Sequence, residues 1–321
     1  MTNFLVTGGA GFIGSYLSEA LIKRGDKVTV IDDLSTGDMR NLREISGNKN
    51  FSFVEGTILD KELMSGLIKE CQVVCHLAAA VGVKFVIDNP VRSIEINVNG
   101  TEIVLKLASK FKRRVFLSST SEVYGKTENG LFKEDSDRVV GATTIRRWSY
   151  SCSKALDEFL CLAYYREKGL PVVIGRLFNT CGPRQTGKYG MVIPRFVNQA
   201  LSNEPLTVYA DGKQTRSFCY VEDTVRAIIG LVEEPKAIGE IFNIGTQETT
   251  TIEDLAKRVI KLTESHSDII YVPYEKAYER GFEDMRHRVP DISKIHNLIG
   301  YSPKHNLDMI LEKVIEHFKG Q

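Results

Sequence analysis

Residues 4–33 narrow the choice of fold more than any other part of this chain. An apolar run at Phe4, Leu5 and Val6 leads into Thr7-Gly8-Gly9-Ala10-Gly11-Phe12-Ile13-Gly14. A helical pattern follows, and then the strand-like run Val28-Thr29-Val30-Ile31, which ends on Asp32 and Asp33. The order strand, tight glycine turn, helix, strand and terminal carboxylate is the unit that holds the diphosphate of a dinucleotide at a helix N-terminus. Gly8 allows the turn, Gly11 lets backbone approach a pyrophosphate, and Gly14 lets the helix pack against the strand. Asp32 can accept hydrogen bonds from both hydroxyls of an adenosine ribose. A 2′-phosphate would be repelled there, so the expected cofactor is NAD.

Beyond this unit the apolar pattern keeps alternating. Strands are expected at 51–54, 73–77, 114–118 and 171–176, with helices at 61–71, 91–110 and 151–168 between them. Short, strongly apolar strands separated by helices predict a parallel sheet covered on both faces, a doubly wound α/β fold of the Rossmann type. Residues 1–178 are assigned to this NAD-binding domain. Residues 179–321 are assigned to a smaller α/β lobe for substrate, interleaved with the first. In that lobe helices are expected at 192–201, 221–233, 251–262 and 307–318, and strands at 206–209, 241–244 and 269–272.

Composition limits the partners. The 42 basic and 41 acidic residues leave a net charge of +1, which gives no global field for nucleic acid or an anionic membrane. No segment has the pattern of a signal peptide or the length of a membrane span, so the expectation is a soluble, cytoplasmic protein. The six cysteines follow neither a disulfide framework nor a paired metal-binding spacing, and no metal site is expected.

Candidate chemistry gathers at strand ends. The strand at 114–118 runs into Ser119-Thr120-Ser121-Glu122, where hydroxyls and a carboxylate would face a ligand. Tyr150-Ser151-Cys152-Ser153-Lys154 opens a helix and puts Tyr150 and Lys154 on one face. An ammonium beside a phenol, joined by the positive nicotinamide ring, would lower the tyrosine pKa so that it could take a proton from a sugar hydroxyl.

With these motifs in view, the chain resembles the extended short-chain dehydrogenases/reductases that act on nucleotide sugars. The similarity is carried by residues 7–14, 76–79, 97–100, 120–125, 150–154, 176–184, 206–209, 214–218 and 242–245. It implies that Tyr150 is the catalytic base, that Lys154 holds the nicotinamide ribose and tunes Tyr150, and that Thr120 shares a hydrogen bond with the sugar. The same resemblance assigns Phe12, Ile13, Asp33, Leu77, Ala78, Ala79 and Asn97 to the cofactor. Asn179, Arg216 and Arg288 would hold a substrate diphosphate, and Val192, Thr207 and Tyr209 would frame its base, with uracil expected. Relatives commonly carry an acid after the third strand to meet the adenine amine; this chain has Thr57-Ile58 instead. A homodimer is implied through the helices at 91–110 and 151–168, whose Leu160 and Leu162 could face either a partner or the core.

These enzymes share a first step, oxidation of the sugar C4 hydroxyl to a ketone. Glu122 could act near C5, which an epimerase does not need. Ser121 stands where dehydratases similar to this group place an acid, which argues against dehydration. Thr120-Ser121-Glu122 with Arg147 three residues before Tyr150 resembles the UDP-glucuronate decarboxylases. Against that, the loop Ala80-Val81-Gly82-Val83-Lys84-Phe85 lacks their proline-rich segment and is closer to the loop of 4-epimerases. Lys84 is either solvated or faces a sugar carboxylate. The expectation is therefore C4 epimerisation of a UDP-hexose or UDP-hexuronate, with UDP-glucuronate decarboxylation as the alternative. A dehydratase, or a protein that binds NAD without catalysis, ranks behind both.

Overall fold

The computed structural model describes residues 1–126, 130–187, 191–277 and 285–320, with side chains at 83, 84, 275 and 277 not described. In chain order the first half carries β1 (Asn3–Thr7), α1 (Phe12–Lys23), β2 (Lys27–Asp32), β3 (Phe51–Glu55), α2 (Lys61–Glu70), β4 (Val73–His76), α3 (Val83–Asp88), α4 (Pro90–Ile94), α5 (Gly100–Phe111), β5 (Arg114–Thr120), α6 (Trp148–Lys168) and β6 (Val172–Leu177). The second half carries β7 (Thr180–Cys181), α7 (Val192–Leu201), β8 (Leu206–Tyr209), β9 (Thr215–Arg216), β10 (Cys219–Tyr220), α8 (Val221–Glu233), β11 (Ile241–Ile244), β12 (Thr250–Thr251), α9 (Ile252–Thr263), β13 (Ile269–Val272), α10 (Tyr274–Ala277), α11 (Ser293–Ile299) and α12 (Leu307–Lys319).

Seven parallel strands form one sheet in the order β11-β6-β5-β4-β1-β2-β3. Strand order reverses between β1 and β4, the topological switch point at which doubly wound sheets open a crevice. Alternation along the strands divides the core in two. Phe4 and Val6 join Leu17, Leu21 and Ile228 on one face, while Leu5, Val74 and Leu117 join Met64, Ile68 and Val104 on the other. Both faces are apolar because helices cover both, which explains the nearly continuous hydrophobic runs in the sequence.

The expected elements differ from the structure in places that matter for the cleft. Residues 91–110 are not one regular helix: α4 and α5 are joined by a π turn over Glu95–Asn99. A helix, α3, occupies part of the loop expected after Ala80; it starts behind Gly82, whose φ of 100° favours glycine. The strand β11, far along the chain, pairs with β6 inside the main sheet. Leu160 and Leu162 pack in part on the core, and the exposed large apolar side chains of α6 are Leu156, Phe159 and Tyr165. All six cysteines are free thiols, and only Cys152 is exposed. Among the described residues no helix is long and apolar enough to cross a membrane.

Candidate active site

A cleft of about 550 Å³ opens over the carboxyl ends of the strands. One end is built from the glycine turn. Gly8 has φ 69°, and a Cβ there would lie 2.8 Å from the backbone of Ala78; a Cβ on Gly14 would lie 2.2 Å from the carbonyl oxygen of Gly8. The turn therefore tolerates no side chain at these two points, and α1 begins just after Gly11, which offers no side-chain cap. Its first amide groups and the positive end of its dipole are available to an anion.

Asp32, at the end of β2, accepts from the backbone N–H of Ala10 at 2.9 Å through Oδ2 and from that of Leu34 at 2.9 Å through Oδ1. Burial raises its pKa from the ordinary carboxylate range, and these amide donors pull it back. Gly8, Gly11, Phe12, Ile13, Gly14, Asp32, Asp33, Thr57, Ile58, Leu77, Ala78 and Ala79 all line the cleft. Asn97 does not. Its side chain accepts from the Ala80 N–H at 2.8 Å and donates to the Ser153 hydroxyl at 3.2 Å, tying the wall loop to α6.

The other end is assembled from distant segments. Thr120, Ser121, Glu122, Arg147, Tyr150, Asn179, Val192, Tyr209, Arg216 and Arg288 line it together. At the end of β5 the chain makes a 3-10 turn, Ser121–Tyr124, capped when the Thr120 hydroxyl accepts the Glu122 N–H. This turn presents Glu122 to two buried guanidinium groups: Arg288 at 2.6 Å and Arg147 at 3.2 Å. Arg147 also lies 5.4 Å from the ring centroid of Trp148. Arg288 is held by its own segment, where Phe132 and Val289, Asp291 and Phe132 exchange backbone hydrogen bonds and the Asn243 amide donates to the Asp291 carbonyl.

Tyr150 meets the Thr120 hydroxyl, and its pKa is pushed up, chiefly by burial, then by the negative charges of Glu122 and Asp157; the Thr120 hydrogen bond opposes this. Against the expected lowering by Lys154 stands the partner that this lysine has. The Lys154 ammonium sits 2.9 Å from the Asp157 carboxylate, with both side chains buried, and its charge is largely offset there. Lys154 itself does not line the cleft.

Three other expected residues divide. Asn179, at φ 33°, donates its amide to the Ser217 carbonyl. Arg216 donates to the carbonyls of Thr215 and Met285 from the cleft wall. Thr207 is not among the residues lining the cleft, and its hydroxyl accepts from Gln199 at 2.9 Å. The side chain of Lys84 lies outside the described residues.

Sequence alone ranks Arg184 and Arg195 behind Arg216, yet both line the cleft. Arg184 bridges the glycine-turn helix to the later chain: it pairs with Glu19 at 2.7 Å, donates to Ser15 and the Asn41 carbonyl, and stacks 4.4 Å over Tyr16. Arg195 stacks 4.2 Å over Tyr209. Only their position in runs of motif residues could have marked them.

A doubly wound sheet with a glycine cradle at its switch point and a tyrosine at the adjoining strand ends defines an NAD-type extended short-chain dehydrogenase/reductase scaffold. Within that class, residues 5–314 match the GDP-mannose 4,6 dehydratase family model, and the chain belongs to that family. It is 45% identical to the UDP-N-acetyl-alpha-D-glucosaminuronate decarboxylase of Bacillus cytotoxicus, over 98% of this chain and 97% of that protein. It is 35% identical to the UDP-glucuronic acid decarboxylase 1 of Danio rerio, over 98% of this chain and 72% of that protein. Among solved structures, the UDP-glucuronic acid 4-epimerase of Bacillus cereus in complex with UDP-glucuronic acid and NAD superposes with a TM-score of 0.89 at 31% identity, covering 99% of both chains.

Proposed function

We propose that this protein is an NAD-dependent decarboxylase of a UDP-hexuronate, with the 2-acetamido sugar as the first substrate to test. The observation that carries the reading is the clamp of Arg147 and Arg288 on Glu122 beside Tyr150. Both guanidiniums stand in the wall that Tyr150 also lines, so a sugar carboxylate placed there would meet charged donors. A neutral hexose brings no carboxylate to them. Ser121 stands where a dehydratase of this kind needs an acid, and the end-to-end similarity to a hexuronate decarboxylase points the same way. Of the two reactions open from sequence, these observations favour decarboxylation over C4 epimerisation.

NAD suits the cleft, since a glycine cradle that any Cβ would fill, an uncapped helix N-terminus and Asp32 match a diphosphate and a ribose. When bound, NAD supplies hydride acceptance and return at sugar C4. Tyr150 takes the proton of the C4 hydroxyl, and the Thr120 hydroxyl holds the phenol in line. With C4 a ketone, the C6 carboxylate is that of a β-keto acid. The C5–C6 electron pair can then move towards the C4 oxygen as carbon dioxide leaves, and C5 takes up a proton. Arg147 and Arg288 orient the carboxylate for that loss, and Thr120 and Tyr150 donate to the oxygen on which charge develops. In the same reading the exposed Val91, Leu156 and Phe159 are the contact of a homodimer.

The test is to supply UDP-N-acetylglucosaminuronate, UDP-glucuronate and UDP-glucose separately and to follow products by mass and proton NMR. A UDP-pentose from a hexuronate supports the reading. A product of unchanged mass, inverted at C4, replaces it with the epimerase.

A further inference from the structure

The buried pair beneath the catalytic tyrosine carries a role that the Tyr-x-x-x-Lys motif does not contain. Asp157 lies one helical turn beyond Lys154 on α6, and neither side chain is more than 2% exposed. Its Oδ2 accepts from the Lys154 ammonium at 2.9 Å, while its Oδ1 meets no donor within hydrogen-bonding geometry among the described residues. A buried carboxylate in that position depends on its cation, and the cation depends on it.

The pair also ends a buried polar chain. The Ala78 N–H in the cofactor end of the cleft donates to the Thr7 hydroxyl at 3.1 Å, and that hydroxyl lies 2.8 Å from His76 Nδ1. On the other side of the ring, His76 Nε2 lies 3.2 Å from the Thr101 hydroxyl, which is a polar neighbour of Asp157. The chain therefore runs from the strand end under the glycine turn, across β4 and α5, to the lysine below Tyr150.

We propose that Asp157 is a positioning residue for the Tyr150 chemistry: its carboxylate fixes the Lys154 ammonium from beneath and offsets its charge, so that the Tyr150 proton is harder to remove than a tyrosine-lysine pair alone would make it. The proposal rests on the preceding reading only in taking Tyr150 as the base.

The charges around the site are consistent with this. Asp157 faces Lys154 and Glu158 on its own helix, with Cys161 one turn on, and Thr101 from α5. Lys154 in turn faces His76 from β4; burial first, and then the Lys154 charge, drops the His76 pKa to about 3, so that ring is neutral. Tyr150 faces Thr120 and Glu122 from the β5 end, with Glu122 itself held by Arg147 and Arg288. The negative charge of Asp157 is one of those that push the Tyr150 pKa up.

The test uses Asp157→Asn in the full chain supplied with NAD and labelled at tyrosine Cζ with carbon-13. Tyr150 is assigned by the resonance lost in Tyr150→Phe, and its titration midpoint is compared with the acid limb of kcat for a UDP-hexuronate. Both should move down by about one pH unit, and Asp157→Glu should bring both most of the way back. Lower turnover with both values unmoved would overturn the proposal and leave Asp157 a packing residue. If Asp157→Asn does not fold, Lys154→Met is compared with the double variant Lys154→Met/Asp157→Asn, in which the pair is neutral. Equal Tyr150 midpoints are expected, because a buried carboxylate without its ammonium takes up a proton; separate midpoints would overturn the link through Lys154. The NMR midpoint does not depend on which sugar reacts. A shift in Asp157→Asn without decarboxylation by the wild type would therefore remove the functional reading and keep this one.

Discussion

The two ends of the cleft are built in opposite ways. The cofactor end is built mainly from one continuous stretch, in which β1, the glycine turn, α1 and Asp32 are neighbours in sequence and backbone geometry does most of the work. The sugar end is gathered from far apart: Arg147 is 25 residues from Glu122, and Arg288 is 167 residues from Ser121. A local motif can be read letter by letter, whereas a clamp of this kind exists only once the chain has folded. In the proposed reading the first end serves many reactions, and the second selects among them.

Substitutions can separate the two ends. Tyr150→Phe should cut turnover by roughly 10²- to 10⁴-fold while NAD stays bound, as read by steady-state kinetics and by the cofactor that co-purifies. Unchanged turnover would remove Tyr150 from the chemistry. Gly14→Ala should do the reverse, striking the cofactor end first. A methyl group 2.2 Å from the Gly8 oxygen forces the turn apart. A loss of about 3 kcal/mol in stability, together with weaker NAD binding by calorimetry, is the expected result.

Arg288→Gln should lower kcat/KM for a UDP-hexuronate by about 10- to 100-fold, the scale of one lost charge-assisted contact. UDP alone should bind nearly as before. An equal loss for UDP would move Arg288 from the sugar carboxylate to the diphosphate, as the family resemblance first suggested.

The smallest effect concerns the histidine between the two ends. Burial lowers the His76 pKa from its ordinary 6.5 to about 3, so the folded protein holds the ring neutral where the unfolded chain would protonate it. The corresponding stability is complete above about pH 6.5 and is lost as pH falls towards 3. By pH 5 the loss is about 2 kcal/mol. Urea midpoints at pH 7 and pH 5 should fall less in His76→Gln than in the wild type.

What was legible in the sequence follows the same division. The alternation of apolar strands and helices gave the parallel sheet, because a strand buried on both faces must be apolar throughout. The glycine positions and Asp32 were readable because their roles are set by backbone geometry within one turn. The spacing of Tyr150 and Lys154 puts them on one face of α6, but the buried carboxylate that Lys154 meets was not legible. Asp157 stands three residues past Lys154 in plain view, yet a charged residue on a helix says nothing of its burial until α6 is packed against α5. Thr207 shares a strand face with Tyr209, and the sequence does not show that Gln199 from α7 donates to its hydroxyl. The loop after Ala80, which weighed towards epimerisation, contains a helix whose onset depends on Gly82.

The most direct test is to run the reaction with a UDP-hexuronate in deuterium oxide and read the sugar product by NMR. A clamp that holds a carboxylate for loss from a β-keto acid requires a UDP-pentose with one deuterium at C5 and the C4 configuration of the starting sugar. An intact hexuronate inverted at C4, with no deuterium at C5, would contradict it and make Arg147, Glu122 and Arg288 a binding clamp of an epimerase.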